Sequence, residues 1–455
     1  MTKPKVAFHT LGCKLNFAET STLGKQFLER GFEITDFDSA SDVILLNTCS
    51  VTERAEREAR QWIRRALRHS PHAFVIVTGC YAQLQPEEIA SIDGVDVVLG
   101  SQEKFHLFQF VDSFQKKQTP QVFVSPIAEA HDFGPAYSSE VGERTRAFLK
   151  VQDGCDYPCA FCTIPLARGE SRSQPIATTV QQVNQLVAMG FKEIVLSGVN
   201  VGDYGKKNDS SFFQLLLALE NVDGVKRYRI SSIEPNLLTN EIIDFIRASD
   251  KFCNHFHIPL QSGSDAILRK MRRRYSSAEY RNVVDYIRSN DADAGIGVDV
   301  IVGFPGETEH HFNETYQFLV ELPCSYLHVF TYSERPNTFA ETLDEPVEPR
   351  VRFERNEMLR MLSAKKRHAF YASFQGKIVD VLIEQKQTEN GFSGLTKNYL
   401  RVNVPANECD VNTIQRVRIE EICNEHCIGS RVDGTVHLPS YVSSPLFNTP
   451  SQLTV

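Results

Sequence analysis

No stretch of the 455-residue sequence reaches the ~18 consecutive apolar residues that a membrane-spanning helix needs, so a hydrophobic transmembrane helix is excluded. The opening residues, MTKPKVAFHTLGC, hold too short an apolar stretch for a secretory signal and no small-residue cleavage site, which makes the cytoplasm the expected location. Positive charge is outnumbered, 49 Lys and Arg against 57 Asp and Glu. The formal net charge is −8, a poor balance for a protein that coats nucleic acid non-specifically. No internal repeat with a period of about 20–50 residues stands out. What remains is ordinary for a soluble globular chain with a substantial core: 42% hydrophobic and 23% charged residues, long enough for about three domains.

Strand-like apolar runs at 5–12, 42–49, 73–80 and 95–100 are separated by segments long enough for crossover helices, one of them at 16–31 and ending in Gly31. This alternation predicts a doubly wound parallel sheet over residues 1–115. Residues 116–145 lose periodicity and gain Pro, Gly and Ser, and are expected to be a linker. A second series of strand-like runs at 147–153, 193–198, 226–232, 255–260, 297–303 and 326–332, five of them followed by helical patterns, suits an open, partial (β/α)6 barrel. A long basic helix at 351–374 closes that domain, giving boundaries of 146–375. Short alternating strands then predict a small all-β barrel over 376–440, with a tail at 441–455. The overall class is α/β, multidomain.

The eleven cysteines carry the chemistry, because thiols in a reducing cytosol are more often ligands, catalysts or core residues than disulfide partners. In DGCDYPCAFCTIP (153–165), Cys155, Cys159 and Cys162 fall within eight positions, just after the first strand expected in the barrel. A [4Fe–4S] cluster takes one thiolate per iron, so three ligands from one loop leave one iron open to chelate S-adenosylmethionine. Phe161 precedes the third cysteine and can shield such a cluster from water. Zinc, which favours four ligands, and plain structural thiols are the competing readings. Cys13, Cys49 and Cys80 are far apart in sequence, yet each ends an expected parallel strand, the edge where open α/β sheets gather ligands. A second cluster with three protein ligands follows from that placement; three buried core cysteines are the alternative. Cys409, Cys423 and Cys427 with His426 read as scattered reduced thiols, Cys253 and Cys324 as core or strand-edge residues, and His255 and His257 as residues facing a strand surface. Arg168 is placed to meet a carboxylate or phosphate, or to lie on the surface.

The 153–165 stretch resembles the signature of the radical S-adenosylmethionine superfamily. Together with the three N-terminal cysteine motifs and the small C-terminal barrel, it resembles the methylthiotransferases over about residues 3–438. That resemblance implies two [4Fe–4S] clusters, an auxiliary one on Cys13, Cys49 and Cys80 and a radical-generating one on Cys155, Cys159 and Cys162. It further implies S-adenosylmethionine as cofactor, a TRAM-type barrel that helps bind substrate, replacement of C–H by C–SCH3, and an electron donor. The sequence names neither that donor nor an oligomeric state. Gly198 in LSGVN, Glu234 in SSIEP and Gln261 in HIPLQSGS are expected with Phe161 around the S-adenosylmethionine pocket; ordinary strand–turn punctuation is their alternative. LGCKLNFAET (11–20) and DGCD (153–156) are similar to enzymes acting at C2 of N6-threonylcarbamoyladenosine at tRNA position 37. Enzymes for isopentenyladenosine or a ribosomal-protein aspartate, and a non-catalytic iron–sulfur RNA-binding or redox-sensing protein, are the alternatives. Basic runs at 54–68, 269–274 and 364–368 offer phosphate contacts, or are solvated helix faces. The barrel's seven basic residues against nine acidic suit a basic protein partner equally well.

Overall fold

The computed structural model describes residues 3–50, 52–130, 132–137, 145–389 and 391–432. The expected end of the small barrel at 433–440 and the tail at 441–455 lie outside the described residues. Six strands, β1 (Lys5–Thr10), β2 (Glu33–Thr35), β3 (Val43–Thr48), β4 (Phe74–Gly79), β5 (Val97–Leu99) and β6 (Gln121–Phe123), form one parallel sheet in the order β2-β1-β3-β4-β5-β6. Every residue of β3 and β4 is buried, as a strand covered on both faces requires. Ile44, Leu46, Val75 and Val77 pack to one side, and Val43, Leu45, Phe74 and Ile76 to the other. Helix α1 (Lys14–Glu29) follows β1, α2 (Glu53–His69) follows β3, and α3 (Cys80–Leu84) follows β4. The Thr52 side chain caps α2 by accepting from the Ala55 N–H, with Glu53 and Glu56 in its first turn and Arg68 and His69 in its last, both favourable to the helix dipole.

Two of these strands depart from the sequence-based expectation. β6 falls inside the stretch expected as a linker, and β2 was not anticipated. Both are three-residue edge strands, too short for a hydrophobic period to register.

The second domain holds β7 (Arg146–Lys150), a small hairpin of β8 (Gln152–Asp153) and β9 (Arg172–Ser173), then β10 (Glu193–Ser197), β11 (Arg227–Ile230), β12 (His255–Gln261), β13 (Gly295–Val302) and β14 (Tyr326–Thr331). Strands β11-β10-β7 and β12-β13-β14 form two parallel sheets, joined by a bridge at Tyr228–Phe252 and the Ile233 N–H to His257 O bond. They make a partial barrel, backed by the helix Pro349–Ala372 against β14. The strand expected at 147–153 breaks at Val151, because Gln152–Asp153 leave the sheet to pair antiparallel with Arg172–Ser173. That pairing clamps the base of the three-cysteine loop.

Outward-facing residues such as Phe256, Ile258, Val298 and Val300 are fully packed. Inward-facing His257, Gln261, Asp299, Ile301 and His328 keep partial exposure, so the barrel has a solvent-accessible lumen on its β12–β14 side. On the opposite side, α1 lays Phe17 and Ala18 against Phe148 and Val195.

The third unit is a closed barrel of β15 (Ile378–Thr388), β16 (Gly391–Leu395), β17 (Arg401–Val404), β18 (Ile414–Ile422) and β19 (Cys427–Arg431), ordered β15-β16-β17-β19-β18. Its β16–β17 turn plugs the amino ends of the lumen strands. Arg227 donates to Leu395 O at 2.8 Å, Arg229 donates to Thr396 O and Lys397 O, and Tyr399 stacks on His255 at 4.4 Å. The carboxyl ends stay free for the cysteine loops.

Candidate active site between two cysteine triads

Cys13, Cys49 and Cys80 each stand where a strand passes into a helix: Cys13 is the N-cap of α1, Cys49 follows β3, and Cys80 opens α3. Because β1, β3 and β4 are parallel neighbours, all three thiols reach one edge of the sheet. The fit around them is close. A Cβ on Gly12, which has φ +95°, would meet Cys49 Cβ at 2.7 Å and Sγ at 2.8 Å. Gly79, at φ +101°, packs against the Thr48 backbone with no room for a side chain. Cys13 lines an accessible chamber, but the surrounding protein desolvates its thiol and raises its pKa, with the Arg168 guanidinium opposing.

Arg168 joins this triad to the other. It is buried, not on the surface, and meets carboxylates. Its guanidinium donates to Glu19 at 3.0 Å, to Asp153 at 2.9 Å and to Asn16 Oδ1 at 2.6 Å. Glu19 also accepts from Lys104 at 2.6 Å and Lys150 at 3.3 Å, and Lys150 reaches Asp153 at 3.0 Å. Glu19 and Lys104 belong to the first sheet domain; Lys150, Asp153 and Arg168 belong to the barrel. Burial disfavours the Glu19 charge, but Arg168, Lys104 and Lys150 outweigh it and hold the carboxyl well below its usual range. Asp153 is likewise depressed, burial being outweighed by Lys150 and Arg168. The positive charge of Arg168 also acts on Cys13 and Cys80. One buried ion cluster thus ties the edge carrying Cys13, Cys49 and Cys80 to the residue two before Cys155.

In the second triad, burial pushes the Cys155 and Cys162 thiols up to about 12. Cys159 Sγ accepts a hydrogen bond from Arg273 Nη1 at 3.0 Å, and Arg273 is ion-paired with Glu234. Arg273 lies in the basic run 269–274, whose expected roles were phosphate contact or solvated face; here one of its arginines points inward. Phe161 packs edge-on to Phe304 beside the loop. Gly198 lies against Gln152: a Cβ there would meet Gln152 Oε1 at 2.8 Å. Gln152 in turn donates to Gly154 O at 2.7 Å, next to Cys155. Gln261 ends β12 in the left-handed region, φ +69°, where the pairing with β13 shifts register. Glu234, Gly198 and Gln261 therefore all lie at the carboxyl ends of barrel strands.

The donor set fits iron–sulfur clusters better than zinc. A Zn–S bond of about 2.3 Å puts tetrahedral sulfurs about 3.8 Å apart. Among the described residues, neither triad gathers its three sulfurs within 4.8 Å of one another, so neither is drawn up as tight as tetrahedral zinc would hold it. A ligand at the strand ends is also supported by unsatisfied buried atoms. Asn200 Oδ1 and Nδ2, just past β10, and Ser231 Oγ, just past β11, have no hydrogen-bond partner among the described residues. Residues so buried normally find partners. Sequence reasoning singled out the segments holding Asn200 and Ser231 but not these side chains. It missed Arg273, Lys104 and Lys150, whose roles depend on contacts across elements.

His257, Asp299 and His328 meet on the lumen wall with their ligand-type atoms within 4.8 Å, and His257 Nε2 lies 2.6 Å from Asp299 Oδ1. His255 faces the same side, buried against Tyr326 and Tyr399. No such grouping among the described residues includes Cys409, Cys423, Cys427 or His426, or Cys253 or Cys324.

Comparison with known proteins matches this architecture. The family model described as "Uncharacterized protein family UPF0004" covers residues 5–100, and the "Radical SAM superfamily" model covers residues 149–319. The chain is 41% identical, over 91% of its length and 93% of the relative, to "Threonylcarbamoyladenosine tRNA methylthiotransferase MtaB" of Bacillus subtilis (strain 168). It is 40% identical to the protein of that name in Aquifex aeolicus (strain VF5), over 88% of this chain and 96% of the relative. It is 33% identical, over 92% of each, to the "tRNA-2-methylthio-N(6)-dimethylallyladenosine synthase" of Methylacidiphilum infernorum (isolate V4). Among solved structures, the radical S-adenosylmethionine methyltransferase TsrM from Kitasatospora setae superposes with a TM-score of 0.52 at 15% identity, over 72% of this chain and 73% of that one, a likeness of fold alone. With 41% identity across nearly all of both sequences, and the radical domain in place, this chain belongs to the methylthiotransferase family of radical S-adenosylmethionine enzymes.

Proposed function

We propose that the protein methylthiolates C2 of N6-threonylcarbamoyladenosine at position 37 of tRNA; its relatives at 35–41% identity are named as threonylcarbamoyladenosine tRNA methylthiotransferases. The observation that carries this reading is the pair of cysteine triads at facing strand ends, coupled through Arg168, Glu19 and Asp153. In it, Cys155, Cys159 and Cys162 hold the cluster that binds S-adenosylmethionine, and Cys13, Cys49 and Cys80 hold the auxiliary cluster. When bound, the two [4Fe–4S] clusters supply the electron that cleaves S-adenosylmethionine and the site at which sulfur is delivered.

The protein's own residues do the rest. Arg273 donates to Cys159 and favours its thiolate, while Arg168 offsets negative charge at Cys13 and Cys80. Since burial raises the Cys13, Cys155 and Cys162 thiols above their ordinary value, loading clusters onto them would release protons. Phe161 shields the radical-generating loop. Gly198, Glu234 and Gln261, with Asn200 and Ser231, line the S-adenosylmethionine pocket.

The exposed face of α2 favours RNA over a basic protein as partner. Arg54, Arg57, Arg64 and Arg68 recur along one stripe, and Arg54, Arg64 and Arg68 have no ion pair among the described residues. The stripe starts beside the cysteine chamber, where Glu56 pairs with Arg335 next to Ser50. No helix among the described residues is long and apolar enough to cross a membrane, and this reading places the protein in the cytoplasm with its tRNA.

Mass analysis of tRNA nucleosides from a strain lacking the gene tests the proposal. Loss of the methylthio group from threonylcarbamoyladenosine is expected. Its persistence, with loss of another modification, refutes the substrate. Failure of the reduced protein to split S-adenosylmethionine into methionine and 5′-deoxyadenosine refutes the enzyme class.

A further inference from the structure

The lumen below the cysteine chamber has an unexplained composition. Its accessible β12–β14 wall presents His257, Asp299 and His328, and its floor is sealed by His255, Tyr326 and Tyr399. From the opposite side comes Lys14, the residue directly after Cys13, at the start of α1. The start of α1 packs against β7 of this barrel, and Lys14 lies near enough to Asp299, His328, His255 and Tyr399 for its charge to act on each. Lys14 makes no hydrogen bond or ion pair among the described residues, and neither do the ring nitrogens of His328. Asp299 is engaged by His257. The lumen therefore holds one unpaired lysine whose charge burial opposes, one unpaired imidazole and one carboxylate–imidazole pair. Neither cysteine triad uses them.

We infer that Lys14, His257, Asp299 and His328 form the subsite that reads the polar substituent on N6 of the substrate base and rejects an apolar one. This rests on the function proposed above. A threonylcarbamoyl group carries a carboxylate, a hydroxyl and urea N–H groups, which match the Lys14 ammonium, the His328 ring and the Asp299 carboxylate in kind. A dimethylallyl group offers none of these. In the same space it strips water from the ammonium and imidazoles and returns no partner, and sites built to hydrogen-bond reject such analogues strongly. Because Lys14 adjoins Cys13, whatever Lys14 holds is held beside the auxiliary triad, so selection and delivery of sulfur share one residue's backbone. These four are specificity-determining residues, since none touches either triad's sulfur in the structure.

The test uses the full chain, reconstituted anaerobically with iron and sulfide. Two tRNAs, one bearing threonylcarbamoyladenosine and one dimethylallyladenosine at position 37, compete in one reaction read by nucleoside mass. The wild type is expected to prefer the first. Lys14→Met should lower that preference by about 10- to 100-fold, the size expected for one charge-assisted contact, and His328→Leu by about 3- to 10-fold, the size of a neutral one, both through kcat/KM for the first tRNA. Iron content and S-adenosylmethionine cleavage without tRNA should stay at wild-type levels. If Lys14→Met loses iron through its neighbour Cys13, His328→Leu and Asp299→Asn decide the matter. An unchanged preference in iron-replete variants overturns the subsite while leaving the function standing. A wild type that modifies only the dimethylallyl tRNA overturns the function itself.

Discussion

Replacing Glu19 with glutamine preserves shape and volume but removes the anion at the centre of three buried cations. Glu19 is fully buried and takes Lys104, Lys150 and Arg168 at 2.6, 3.3 and 3.0 Å. After the change, Asp153 alone faces all three, so two buried positive charges lack a counter-charge. Breaking a buried pair by deleting one partner typically costs about 3–5 kcal/mol, a large share of the roughly 5–15 kcal/mol that holds a folded protein together. An unfolding entropy of about 2.1 cal/mol/K per residue gives about 1 kcal/mol/K for 455 residues, so the loss reads as a fall in Tm of about 3–5 °C. The cluster bridges two domains, so calorimetry is also expected to show the single transition broadening or splitting.

The pH dependence supplies a second readout. A carboxyl held below its ordinary value near 4.5 contributes stability that is full above that value and fades as pH falls toward the folded-state pKa. The gap between wild type and Glu19→Gln should therefore be constant near neutrality and narrow below about pH 4.5. The exposed pair Arg350–Glu354 is the control: Glu354→Gln should cost less than about 1 kcal/mol. If Glu19→Gln proves no more costly than Glu354→Gln, the claim that this ion cluster locks the two domains together is wrong.

Other outcomes follow from single contacts. Gly12→Ala forces a left-handed residue and a Cβ into Cys49; strain of about 1–3 kcal/mol is expected, with iron content dropping toward one cluster while S-adenosylmethionine cleavage persists. Arg273→Gln leaves Glu234 unpaired and removes the donor to Cys159, so cleavage to 5′-deoxyadenosine, measured by chromatography, should fall at least about tenfold with tRNA binding intact. Burial, then His257, lowers His328 from 6.5 to about 4. Between those values the unfolded chain binds a proton that the folded chain refuses, so stability is full above pH 6.5 and declines below it, by at most about 3 kcal/mol after full protonation and less where solvent reaches the ring. Urea midpoints at pH 7.5 and 5 should show this slope, and His328→Leu should flatten it.

Much of the scaffold is legible in one dimension because its signals are local. The apolar runs VILLNT and FVIVTG can only be strands buried on both faces, and their turn into helices puts Cys49 and Cys80 at strand ends without any knowledge of partners. The loop 153–165 likewise carries its own spacing. Edge strands of three residues, such as Gln121–Phe123, left no such trace, because pairing with a neighbour and not side-chain period is what makes them strands. The break at Val151 was hidden for the same reason: Gln152 and Asp153 pair with Arg172 and Ser173, about twenty residues on.

The charged residues show where the one-dimensional reading ends. Arg168 carried two possible fates and Arg273 was lost in a basic run, yet both turn out buried against named carboxylates. Lys14 looked like any lysine at a helix start, yet its charge acts on Asp299, His328 and His255. Spacing along the chain determined where six thiols can gather, since strand direction fixes which end of a sheet each one reaches. Which cations and imidazoles surround those thiols was decided only by packing three domains together, because burial and electrostatic pairing are properties of space and not of order along a chain.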